Sequence, residues 1–112
     1  MTQREKNAQK GSQNRKNGEA FEFRVLRKMK LLKPLFAIRS AGSHSVVDIV
    51  VQYKNYTRCI VCKNNGYICP AEQRELAKFI SEVPEYIQVE FWFYKTARIM
   101  DRAILKRAKK KR

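Results

Sequence analysis

The chain opens without an apolar rhythm and then acquires one. Residues 1 to 17 are polar, rich in Asn, Gln, Lys and Arg, and the sequence predicts a flexible basic N-terminal arm there. From Gly18 the stretch GEAFEFRVLRKMKLL turns helical: on a wheel advancing about 100° per residue, Phe21, Val25, Met29 and Leu32 form one stripe, with Leu26 at its edge. Glu22 falls between Met29 and Leu26, so the helix carries a carboxylate on the face it should bury. Pro34 ends the helix. LFAIRS (35–40), VVDIVVQY (46–53) and RCIVCK (58–63) read as three strands, separated by the small-residue loop AGSHS and the turn KNYT. Pro70 opens a second helix through AEQRELAKFISE and Pro84 closes it. IQVEFWFYK (87–95) is then a fourth strand, and ARIMDRAILKRAKKKR is expected to be a helix fraying into a basic tail.

The resulting order, α-β-β-β-α-β-α, predicts an α/β fold with a mixed β-sheet flanked by helices. At 112 residues the chain is long enough for one core and too short for two. The expected domain spans 18–101, between the arm 1–17 and a tail 102–112 that continues the last helix.

The formal charge of +15 changes the picture through its distribution. Residues 1 to 17 hold five basic side chains against Glu5, and residues 102 to 112 hold seven with no acid. The 84 residues between them have thirteen basic and nine acidic side chains. Dense positive charge at both ends suits a polyanion, since each cation that neutralises a phosphate releases condensed counterions. Nucleic acid is therefore the expected partner, with Arg15, Lys16, Lys109, Lys110, Lys111 and Arg112 as backbone contacts. No apolar run approaches the roughly 20 residues of a spanning helix, and the N-terminus lacks an apolar signal core, so the expected location is the cytoplasm, at the nucleoid.

Cys59, Cys62 and Cys69, with His44, have the composition of a zinc site but not its spacing. In a strand, Cys59 and Cys62 point to opposite faces and cannot share one metal, so they read as buried reduced thiols. The stretch DIVVQYKNYTRCIVCK carries more chemistry. Cleaving a phosphodiester calls for a divalent cation on carboxylates, an activated water and a cation at the scissile phosphate. Asp48 heads one strand of this hairpin and Lys63 ends the other. Positions 61 and 63 share a strand face, so 61 is the natural place for a second carboxylate, and it is Val61.

Taken together, GEAFEFRVL, IRSAGSHSVVDIVV, IVCK and YICPAEQRELAKFI resemble the archaeal Holliday-junction resolvases of the Hjc type, a branch of the PD-(D/E)xK nuclease superfamily. The likeness covers about residues 18 to 95, and its most specific phrase is RSAGS followed by an aspartate among apolar residues. It implies a restriction-endonuclease-like fold, a homodimer acting on branched or four-way DNA, and hydrolysis dependent on Mg²⁺ or Mn²⁺. Residue by residue, it makes Glu22 and Asp48 the metal-binding acids and Lys63 the catalytic lysine. Ser43 becomes the small hydroxyl beside the site, and Tyr67 and Gln73 the aromatic and glutamine of the next segment. Val61 departs from the pattern, which has glutamate there. Glu72 or Glu75, early in the second helix, are candidates to replace that carboxylate, while Arg39 and Ser40 suit a phosphate contact. Phe91, Phe93, Ile99 and Ile104 are candidates for a dimer interface or for core. Two other readings stand beside the endonuclease: a junction-binding protein on the same fold that has lost cleavage, and a basic RNA-binding protein.

Overall fold

The computed structural model describes residues 3–40, 46–96 and 98–110, with side chains from Lys16 onward. Its elements run α1 (Gln3–Lys30), β1 (Phe36–Arg39), β2 (Ile49–Gln52), β3 (Thr57–Cys62), α2 (Pro70–Glu82), β4 (Ile87–Thr96) and β5 (Ile99–Lys106). The five strands form one mixed sheet whose spatial order follows the chain. Neighbours are antiparallel except β3 and β4, which are parallel because α2 carries the chain back across the sheet.

The two helices cover opposite faces. Ile60 and Cys62 of β3 point to one side, where Phe21, Val25, Leu26 and Met29 of α1 close over them with Ile49, Val51 and Trp92. Val61 points to the other, against Leu76 of α2 and Val89 of β4. This alternation explains why β3 is buried along its whole length: it lies under a helix on both faces.

Two elements depart from the expected order. The first helix begins at Gln3, so residues 3–17, expected to be a flexible arm, are helical. Once a packed stretch such as 18–30 has nucleated the helix, each added residue fixes little new structure, and the Gln, Lys, Arg and Glu residues of the segment favour its extension despite Gly11 and three asparagines. The segment expected to be the last helix is instead a strand, and the tail 102–112 continues no helix. β5 pairs antiparallel with β4, setting Trp92 opposite Arg102 and Phe93 opposite Asp101. The reversal is a tight turn between Thr96 and Ile99 in which Arg98 takes a left-handed conformation, φ 65°. That position usually carries Gly or Asn, and without either the hairpin gave no local signal. The order is thus α-β-β-β-α-β-β.

Candidate active site

Asp48 stands one residue before β2 and is fixed by three backbone connections. Its carbonyl accepts from the Ser40 N–H (2.8 Å), its N–H donates to the Ile60 carbonyl (2.9 Å), and its Oδ2 accepts from the Cys62 N–H (2.7 Å). Ile49 pairs with Ile60, so one step further along the same register Asp48 lies across from Val61. Val61 is 1 % exposed. The position suited to a second carboxylate is therefore filled by an apolar side chain sealed under α2, which helps to dry the aspartate beside it.

Lys63 follows directly on β3, anchored by its N–H to the Trp92 carbonyl (3.0 Å). Its ammonium pairs with Glu72 Oε2 at 2.6 Å, and Glu72 Oε1 accepts from the Cys69 thiol at 3.2 Å. On the other wall, Glu22 of α1 accepts from Arg39 Nε at 2.7 Å; the Arg39 guanidinium also lies 3.8 Å from Glu19 and 4.6 Å from the centre of the Phe23 ring. These side chains line an open groove of about 680 Å³, with Gly18, Asn64, Asn65 and Tyr67 at its margins. A Cβ at Gly18 would meet no atom within 4 Å, so that wall is open.

The electrostatics of the groove are set by an excess of acid. Glu19, Glu22 and Glu72 line it and Asp48 is coupled to two of them, against the cations Arg39 and Lys63. Four of the ten acidic residues of a chain with charge +15 are gathered here, with two cations to balance them. Burial, and then repulsion from Glu22 and Glu72, push Asp48 from 3.8 up to about 6, against the pull of the Cys62 N–H and Lys63. Glu72 moves the opposite way, held below the usual carboxylate range chiefly by its hydrogen bond from Lys63. For Lys63, burial works against the charge, yet the bond to Glu72 and the nearby acids outweigh it and raise the pKa. Arg39 is likewise raised, first by its bond to Glu22.

The structure thus brings Glu22, Lys63, Arg39 and Glu72 to one groove, with Asp48 behind the groove-lining Cys62, hydrogen-bonded to its N–H and electrostatically coupled to Glu22, Lys63 and Glu72. Between the two candidates on α2 it selects Glu72, as Glu75 is exposed and lines no part of it. Ser40 donates its hydroxyl to the Val47 carbonyl (2.7 Å) and so clasps the ends of the AGS loop. Tyr67 reaches the margin, whereas Gln73 donates to the Ile68 carbonyl and braces the loop before α2. Ser43, His44, Lys111 and Arg112 lie outside the described residues, as does the Arg15 side chain; Lys16 is exposed on α1. Lys109 and Lys110 pack at the far end of the sheet, on Glu85 and the Tyr56 ring. Phe91 packs against the cluster under α2, while Ile99 is exposed.

Glu19 escaped the sequence reading, although it sits one turn from Glu22 on the same helix, and Cys69, weighed there only as part of a zinc set, instead lines the groove beside Glu72. Cys59 and Cys62 are buried free thiols; burial pushes Cys59 up to about 11 and Cys62 further still. Among the described residues no group of three His, Cys, Asp or Glu side chains is close enough to hold a metal ion. No described helix is long and apolar enough to cross a membrane. In comparisons with known proteins, the chain matches no family model, no curated protein and no solved structure.

Proposed function

We propose that this chain is a structure-selective DNA endonuclease with a restriction-endonuclease-like fold, resembling the Holliday-junction resolvases and acting as a homodimer on branched DNA in recombination and repair. The observation that carries the reading is the acid excess of the groove. A groove serving only to hold phosphates would exclude carboxylates, whereas one that works through a cation must supply them. The donor set suits Mg²⁺ or Mn²⁺, since a hard cation takes oxygen ligands and Mg²⁺ commonly uses one or two protein carboxylates with phosphate oxygens and waters. Asp48 and Glu22 would hold it, with phosphate oxygens and waters filling the remaining positions, since no third described carboxylate is close enough to join them.

When bound, such an ion polarises the phosphate and lowers the pKa of its water. The chain's own side chains do the rest. Lys63 steadies charge at the scissile phosphate once Glu72 releases it, Arg39 does the same at a neighbouring phosphate, and Ser40 ties Val47 to the end of β1 through its hydroxyl. In the cell such an enzyme works in the cytoplasm, at the nucleoid.

A second reading, junction binding without cleavage, is favoured by Val61: it is buried with Leu76 and Val89 across from Asp48, while Arg39 and Lys63 occupy the other acids. The deciding experiment incubates the protein with a labelled four-way junction, a matched linear duplex and RNA, with Mg²⁺ or Mn²⁺, beside Asp48→Ala and Val61→Glu. Metal-dependent cuts in the junction, lost in Asp48→Ala, support the endonuclease. Junction binding without cuts, with cleavage gained in Val61→Glu, supports the second reading. Equal binding to all three nucleic acids sinks both.

A further inference from the structure

A second charged surface lies away from the groove, on the α1 side of β3, β4 and β5. On β4 the residues that point to this side are Gln88, Glu90, Trp92 and Tyr94, and only Trp92 and Tyr94 reach the α1 core. The remainder forms a polar half-face. Its floor is the buried pair of Arg58 and Glu90. Glu90 accepts from Arg58 at 2.5 and 2.7 Å, Gln88 at 2.9 Å, Trp92 Nε1 at 3.0 Å and Arg102 at 3.4 Å, so it is saturated with donors.

Above this floor the cations are arranged on aromatic rings instead of on acids. Arg24 sits 5.6 Å from the Tyr94 ring centre, Lys28 and Arg102 sit 6.0 and 5.8 Å from Trp92, and Lys110 sits 4.9 Å from Tyr56. Among the described residues Arg24, Lys28 and Lys110 have no ion-pair partner, and Arg102 has only the 3.4 Å contact to Glu90. Two other acids lie nearby: Asp101, whose Oδ1 accepts from the Arg102 backbone N–H, and Glu85, which pairs with Lys109 at 3.9 Å at the Lys110 end. A pocket of about 320 Å³ opens between Lys28, Arg58 and Arg102.

We infer that this strip, from Arg24 through Lys28 and Arg102 to Lys110, is a binding track for the phosphate backbone of nucleic acid, separate from the acidic groove. A ring holds a cation in place without neutralising it, so the positive charge stays available to an anion. Each of these rings has a cation over it and Trp92 is buried, so the track presents charge to phosphates and carries no sequence reading. The inference rests on the nucleic-acid partner proposed above and adds where that partner is held: the groove has an excess of acid, and the track supplies the affinity.

The test uses the full chain, a labelled duplex and salt from about 50 to 300 mM. In the Lys28→Gln/Lys110→Gln variant, whose altered side chains are both exposed and off the Glu90 network, the slope of log K against log salt should fall by about 1.8, near 0.9 for each lost phosphate contact. Arg74→Gln/Lys78→Gln removes the same charge from exposed positions on α2 and should leave the slope unchanged. A wild-type slope in the Lys28/Lys110 variant, or an equal loss in the α2 variant, overturns the track while leaving the nucleic-acid reading intact. Failure of the wild-type protein to bind DNA at any salt overturns both.

Discussion

Asp48 and Glu90 are both carboxylates drawn into the body of the domain, and their surroundings treat them in opposite ways. Glu90 is fully buried, and burial alone would raise its pKa, yet hydrogen bonds from Arg58, Gln88 and Trp92 together hold it below the usual range. Asp48 keeps partial access to solvent and is raised to about 6, because it has one backbone donor, two carboxylate neighbours and the apolar Val61 beside it. The deeper acid is the contented one. Depth therefore does not separate a structural carboxylate from one kept for work; the supply of donors does.

Removing the donors from Glu90 is the strongest way to break this contrast. Arg58→Met should cost about 3–5 kcal/mol in urea or thermal unfolding, because it strands a buried charge, and adding Glu90→Leu should restore most of the loss. If the single variant unfolds like wild type, the pair is not what holds Glu90 ionised. A smaller effect comes from giving Asp48 a third acid as neighbour. Val61→Glu places a carboxylate at a site 1 % exposed and should lose about 3 kcal/mol without metal. Millimolar Mg²⁺ should then raise the melting temperature of this variant more than that of wild type.

Relieving Asp48 should act in the other direction. Its pKa is higher in the folded state than in the unfolded, so the folded protein binds the extra proton and stability falls as pH rises from about 4 to 6. Asp48→Asn keeps an oxygen for the Cys62 N–H and removes the charge. It should stabilise the protein by about 1–2 kcal/mol at pH 7.5, after discounting for solvent access, and by nothing measurable at pH 4. Equal stabilisation at both pH values would show that the charge is not the cause. The smallest effect belongs to the half-exposed Lys63–Glu72 pair: Glu72→Gln should shift stability by less than about 1 kcal/mol, while freeing Lys63 for phosphate.

How much of this was legible in the sequence depends on whether a feature is local. Periodicity and proline placed α2 and β1 to β4 within a few residues, and the wheel position of Glu22 foretold that α1 would carry an acid to a buried edge. The pairing of positions 61 and 63 on one strand face also holds, as Lys63 and Val61 both turn toward α2. What escaped was set by tertiary partners. Ile99, Met100, Ile104 and Leu105 fit a helix as well as a strand, and only the open edge of β4 decides between them. The capture of Glu22 by Arg39 and of Lys63 by Glu72 joins residues distant along the chain, so Arg39 read as a free phosphate contact. Glu90 was visible as an acid among the apolar residues of IQVEFWFYK, but its partner Arg58 could be named only once β3 and β4 were known to be neighbours.

The sheet's order has a consequence for how the molecule comes together. Every strand pairs with its neighbour in the chain, and only the step from β3 to β4 requires a long excursion, the one that builds α2. Loop-closure entropy is then small at each step, a topology associated with quick folding and little exposure of unpaired edges. No side chain lining the groove comes from beyond Glu72, whereas the strip of ring-held cations is completed only when β5 docks. The two surfaces share α1, but only the strip uses β5, so substitutions there can retune it without altering a side chain that lines the groove.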